Sequence, residues 1–171
     1  MTNAKTRDLK PHIGILGRRN VGKSSLINTL TGQDVAIVSD VAGTTTDPVK
    51  RTVEILDFAP VVIVDTAGID DEGHLGAKRV QRTRQVLAQI DLALLLITDN
   101  KFGASENDLI KDFEKYDVPF VIIYTKTDIS EPDAAFINTI EKQYDIHIIP
   151  FSNKNPENLP KVIEAIKKSI P

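Results

Sequence analysis

At 171 residues the chain is long enough for one domain with its own core, and it needs no staples to hold it. A formal charge of −3 argues against a general grip on nucleic acid. Cysteine is absent, which excludes disulfides, thiolate metal sites and Cys nucleophiles.

Residues 1–10 are polar and aperiodic and read as a flexible tail ahead of a domain over 11–171. The apolar run His12 to Leu16 predicts a first strand. A helical pattern (Leu26, Ile27, Leu30) follows and is ended by Gly32. The long irregular stretch Gln33 to Pro48 comes next, and then strands over Val53 to Leu56 and Val61 to Val64. Val80, Thr83, Leu87 and Ile90 mark a helix, and Leu92 to Ile97 a strand. A helix opened by Ser105 and Glu106 carries Leu109, Ile110 and Phe113. Beyond it lie a strand over Val118 to Tyr124, a helix after Pro132 (Ala135, Phe136, Ile140), a strand over Ile146 to Ile149, and a last helix with Leu159, Val162, Ile163 and Ile166.

The strand runs are near-continuous rather than alternating, as in strands covered on both faces. Alternation with helices predicts an α/β three-layer sandwich: a six-stranded, mostly parallel sheet with helices on both faces. His12, His74 and His147 are scattered and suggest no metal cluster. The longest apolar run, Ile90 to Ile97, contains Asp91 and is too short to span a bilayer. With no signal peptide visible, the expectation is a cytoplasmic protein without membrane contact.

Between the first strand and its helix lies Gly17-Arg18-Arg19-Asn20-Val21-Gly22-Lys23-Ser24-Ser25, which fits a phosphate-binding loop. A loop around a triphosphate must turn successive N–H groups inward, which requires glycine, and the following helix presents its positive end. Asn20, Val21, Gly22, Lys23, Ser24 and Ser25 are the candidate phosphate contacts. Lys23 supplies charge to the β- and γ-phosphates, and the Ser24 hydroxyl is a candidate Mg²⁺ ligand.

Four further stretches narrow the nucleotide. Asp65-Thr66-Ala67-Gly68 follows a strand, where a carboxylate can hold Mg²⁺ through water and the Gly68 N–H can approach a γ-phosphate. Gly43-Thr44-Thr45-Thr46-Asp47 offers threonine hydroxyls, one of which can complete the Mg²⁺ shell. Thr125-Lys126-Thr127-Asp128 sets a carboxylate where it can accept from the ring N–H and exocyclic amino group of guanine, which adenine cannot offer. The stem of Lys126 would pack on the base. Ser152-Asn153-Lys154 carries backbone N–H groups suited to the guanine carbonyl.

In order and spacing these five stretches resemble the signature elements of a small GTPase, over nearly the whole chain after residue 10. The resemblance implies a Ras-like P-loop fold. Gly-Arg-x-Asn-Val-Gly-Lys-Ser-Ser-Leu with Gly-Thr-Thr-x-Asp resembles the TrmE–Era group. Leu30 to Pro48 and Asp65 to Gly73 look like the GTPase domain of HydF, the [FeFe]-hydrogenase maturation family. That likeness implies a Mg²⁺-dependent GTP phosphohydrolase that binds GTP and GDP, with Thr45 completing the Mg²⁺ shell and switch loops reporting nucleotide state. It also implies dimerisation and iron–sulfur domains beyond Pro171, HydE, HydG and the hydrogenase as partners, and room for a homodimer; the acidic balance, for its part, leads to the expectation of no nucleic-acid partner.

The TrmE group further implies a K⁺ ion at Asn20 and the carbonyls of Ser39, Val41 and Thr44. The catalytic set is then Lys23, Thr45 and Asn20. Three positions depart from the usual pattern: Thr125 replaces Asn, Asn153 replaces Ala, and Ile69 stands where Ras-type proteins carry a water-orienting Gln. Isoleucine cannot orient water. Asp70, Asp71 and Glu72 are near, but the group's water-placing acid aligns closer to Gly73 and His74, so that role stays unassigned. Turnover without an aligned water is expected on the order of 10⁻⁴ to 10⁻² per second. Lys78, Arg79, Arg82 and Arg84 read as a solvated face. A nucleotide-sensing switch with incidental turnover is one alternative to this enzyme. A TrmE–Era GTPase acting on tRNA or ribosomes is another.

Overall fold

The computed structural model describes residues 11–17, 23–31, 50–54, 60–64, 84–152, 154 and 156–170. Six strands are described: β1 (His12–Gly17), β2 (Lys50–Glu54), β3 (Pro60–Val64), β4 (Leu92–Ile97), β5 (Phe120–Tyr124) and β6 (Ile148–Pro150). The described helices are α1 (Lys23–Thr31), α2 (Ala104–Lys115), α3 (Ala134–Tyr144) and α4 (Leu159–Ser169), with a helical turn at 84–87 and a short 3₁₀ turn at Pro156–Asn158.

The sheet runs β2-β3-β1-β4-β5-β6. Every neighbouring pair is parallel except β2 with β3, so one antiparallel edge strand flanks a parallel sheet. This is the expected fold class, and β4 shows why its sequence reads as it does. Leu92, Leu94 and Leu96 enter the core beneath α1 and α4, whereas Ala93, Leu95 and Ile97 enter the core beneath α2, α3 and the 84–87 turn. A strand covered on both faces has no polar side, and all six residues are buried. The start of β1 is locked to β4: the His12 N–H donates to Asp91 Oδ2 at 2.9 Å, and the Asp91 N–H donates to the His12 carbonyl at 2.6 Å. At Gly14 a Cβ would meet Ile90 Cδ1 at 2.9 Å, so the Ile90 side chain packs directly onto the bare strand there.

Two strand boundaries differ from expectation for one physical reason. Val118 and Ile146 end the preceding helices instead of beginning strands. Asp117 and Asp145 adopt left-handed φ of 56° and 54°. The next N–H then turns back, Val118 to the Phe113 carbonyl at 2.8 Å and Ile146 to that of Glu141 at 3.2 Å. This helix-ending motif normally uses glycine, and here Tyr-Asp followed by a branched residue does it twice. β5 starts only past Pro119, which has no N–H to give the ladder. β2 spans Lys50–Glu54 rather than Val53 to Leu56; as an antiparallel edge it needs no apolar run to be recruited.

Candidate functional site

Parallel strands bring their C-terminal ends to one edge, and open α/β sheets bind ligands there. At that edge lie Gly17, Val64, Ile97, Tyr124 and Pro150. Gly17 closes β1 with φ 154°, a conformation suited to glycine, and α1 begins at Lys23. Lys23 is half-buried in the first turn of α1, Ser24 is the next residue, and Ser25 accepts from Thr29 Oγ1 at 2.9 Å through its carbonyl. The expected phosphate and metal contacts at Asn20, Val21, Gly22, Ser39, Val41, Thr44, Thr45, Asp65 and Gly68 lie outside the described residues. So do Ile69 to His74, Lys78, Arg79 and Arg82. Among the described residues no three His, Asp or Glu side chains could hold a metal ion, and no helix is long and apolar enough to cross a membrane.

The other half of the site, Asn153 apart, lies within the described residues. Thr125 is buried, its N–H donating to the Ile97 carbonyl at 2.8 Å and its own carbonyl accepting from Thr98 Oγ1 at 2.8 Å. Lys126 takes φ 59°, and its carbonyl accepts from the N–H groups of Ile129 and Ser130 at 3.0 and 2.8 Å. That tight turn lifts Asp128 to the surface. The loop after β6 meets it: buried Ser152 donates its hydroxyl to Asp128 Oδ1 at 2.5 Å and accepts from the Lys154 N–H at 3.2 Å. Asn153, between them, lies outside the described residues.

The Ser152 hydroxyl is the main cause holding the Asp128 carboxyl below the usual carboxylate range, aided by its own main-chain N–H and the Lys154 charge, against some desolvation. Asp128 is therefore ionised and acceptor-only at neutral pH. A carboxylate has room for about four donors, so Ser152 leaves it capacity for a ligand's N–H groups. Of the main-chain N–H groups at 152–154 expected to meet a carbonyl oxygen, that of Lys154 is turned onto Ser152 Oγ, and the N–H of Asn153 lies outside the described residues.

Four residues outside the motifs support this loop. Thr98 is one. The Tyr124 hydroxyl, on a fully buried ring, accepts from the Asn100 N–H at 3.0 Å and pairs with Ser130 Oγ at 3.2 Å. The Asn100 side chain donates to the Glu131 carbonyl at 3.2 Å and accepts from the Asp133 N–H at 2.8 Å. The one sequence signal was Asp99-Asn100 at a strand end, a pair tolerant of the left-handed φ of 58° and 51° that both adopt.

A family profile described as "50S ribosome-binding GTPase" matches residues 12–126, about two-thirds of the chain. The chain is 41% identical over 120 residues to a tRNA modification GTPase MnmE from Chromobacterium violaceum, covering 70% of this chain and 26% of that protein. It aligns with Era from Aquifex aeolicus bound to GDP·AlF₄⁻ at TM-score 0.73 and 29% identity, over 94% of this chain and 56% of that one. A second Era structure, in complex with MgGDPNP and 16S ribosomal RNA, gives TM-score 0.73 and 29% identity over 94% and 57%. The chain spans about a quarter to a third of the length of the curated relatives it matches. These relatives carry the names MnmE and Era, not HydF. The chain belongs to the 50S ribosome-binding GTPase family, with the Ras-like P-loop fold and GTPase activity of that family.

Proposed function

We infer, from its place among the P-loop GTPases, that this domain selects guanine nucleotides through Asp128 and hydrolyses GTP slowly, for a larger protein of the TrmE–Era group. The observation that carries the reading is the Asp128 carboxylate, raised on a tight turn and held ionised by buried Ser152 at 2.5 Å. Such a group rewards guanine with hydrogen bonds to a charge and leaves adenine unpaired. Lys126 would lay its stem on the base. The phosphates fall to Lys23, the loop amides of Asn20 to Ser25, and the Gly68 N–H, with α1 directing its positive end at them.

The hydroxyls of Ser24 and Thr45 and the carboxylate of Asp65 are hard oxygen donors suited to Mg²⁺. Mg²⁺ would neutralise charge on the β- and γ-oxygens there. The Asn20 amide oxygen with the carbonyls of Ser39, Val41 and Thr44 makes a neutral set suited to K⁺, which would add charge where other GTPases use an arginine. Water attacks the γ-phosphorus, the bond to the β–γ bridging oxygen breaks, and GDP and phosphate leave.

Nucleotide titrations test the reading: GTP and GDP should bind at least about a hundredfold more tightly than ATP, and Asp128→Ala should erase the preference. Equal binding of ATP and GTP would sink it. Turnover in KCl against NaCl, with Asn20→Ala alongside, separates an enzyme from a nucleotide sensor with incidental turnover.

The similarity to MnmE favours service in tRNA modification, as that relative's name states, in a cytoplasmic setting. Stimulation of turnover by tRNA in the whole protein would support this. The wording of Leu30 to Pro48 and Asp65 to Gly73 favours a second reading: the GTPase domain of a HydF-type hydrogenase maturation factor working with HydE and HydG. An iron–sulfur cluster in the whole protein would decide for it.

A further inference from the structure

Guanine selection needs Asp128 held still, yet Thr125 stands where most GTPases place an anchoring asparagine. The substitute anchor lies elsewhere. We propose that Asn100 and Tyr124 are positioning residues for base recognition, fixing the 125–133 segment to the end of β4. The inference rests on the reading of Asp128 as the guanine contact.

Three bonds converge on Asn100. Its main-chain N–H donates to the Tyr124 hydroxyl at 3.0 Å, its amide nitrogen donates to the Glu131 carbonyl at 3.2 Å, and its amide oxygen accepts from the Asp133 N–H at 2.8 Å. Asp133 in turn caps α3 through the Ala135 N–H at 3.2 Å. The Tyr124 hydroxyl also pairs with Ser130 Oγ at 3.2 Å, and the Ser130 N–H closes the turn on the Lys126 carbonyl at 2.8 Å. Asp128 sits inside that turn. The brace therefore holds the turn from its far side, while Ser152 holds it from the near side.

The Tyr124 ring is fully buried and meets Phe136 edge-on at 6.4 Å, so its hydroxyl is a fixed post. Asn100 has φ 51°, a conformation asparagine tolerates and most residues resist. Asn100→Gly keeps that backbone and removes only the amide arms. Tyr124→Phe keeps the ring and removes only the post. Neither residue is placed in contact with the nucleotide.

The test compares GTP with ITP, which lacks the exocyclic amino group and so reports how well Asp128 meets it. Thermal melts of each variant accompany the titrations. For Asn100→Gly and Tyr124→Phe, GTP affinity should fall about tenfold and the GTP:ITP affinity ratio about threefold, with nucleotide release faster. Parallel losses for GTP and ITP would assign general loosening and overturn the positioning role, as would no change in either variant. A wild-type chain that binds ATP as well as GTP would overturn the guanine reading and this inference together. A wild type that prefers GTP, with variants that keep its GTP:ITP ratio, overturns the inference alone.

Discussion

The two halves of the nucleotide edge are built by opposite means. On the phosphate side, β1 and α1 are separated by only five residues of sequence, so one short stretch supplies the strand, its closing glycine and the helix start. On the base side, Asp128 is positioned by residues from the ends of β4, β5 and β6, and the bonds that join those ends, Ser152 to Asp128 and Thr98 to Thr125, span 24 and 27 positions. A contiguous site can be copied whole between proteins. A convergent site depends on the sheet beneath it, as the Thr98–Thr125 and Asn100–Tyr124 contacts between the ends of β4 and β5 show.

The sharpest way to break this contrast is to remove each side's principal charge. Asp128→Ala should cost GTP about a hundredfold in affinity and leave ATP nearly unmoved, measured by competition titration. Lys23→Ala should weaken GTP and ATP alike, by about thirtyfold, since a phosphate contact is blind to the base. A base-selective loss at Lys23 would dissolve the distinction.

Ser152→Ala should cost GTP about tenfold and also change its pH response. The folded Asp128 carboxyl titrates below the usual range, so its contribution is complete above that range and fades only as pH falls through the lowered value. Without the serine hydroxyl, the acid-side loss of GTP binding should move upward, toward ordinary carboxylate pH. An unshifted profile would assign the lowering to another group.

Gly14→Ala addresses the frame rather than the edge. Its Cβ would push aside the tip of the Ile90 side chain, whose Cδ1 lies 2.9 Å away, costing about 1 kcal/mol or less in denaturant unfolding while the preference for GTP over ATP stays unchanged.

The order of strands and helices was legible because each strand is a short apolar run buried on both faces, with helical periodicity between. Val118 and Ile146 misled because an aspartate, not a glycine, carries the left-handed turn before each. Lys50 to Thr52 carry no strand signal of their own and are recruited by pairing with β3. In the site, Asp128 could be found by its spacing after a strand. The Ser152 hydroxyl, the Tyr124 post and the Asn100 brace could not, because each acts across a distance that only the folded sheet closes.

The order of pairing also sets how this domain comes into being. β2 and β3 are neighbours along the chain and can form a hairpin locally, but β1 must wait for partners far downstream: His12 is bonded to Asp91, 79 residues away. On a ribosome making about 5–20 residues per second, the first strand spends several seconds without its β4 neighbour. Its run of buried apolar residues is meanwhile open to chaperones or to misassociation. β1, made before the rest of this domain, thus gains its two neighbours only after β3 and then β4 have emerged, and the base side of the site waits longer still for β5 and β6.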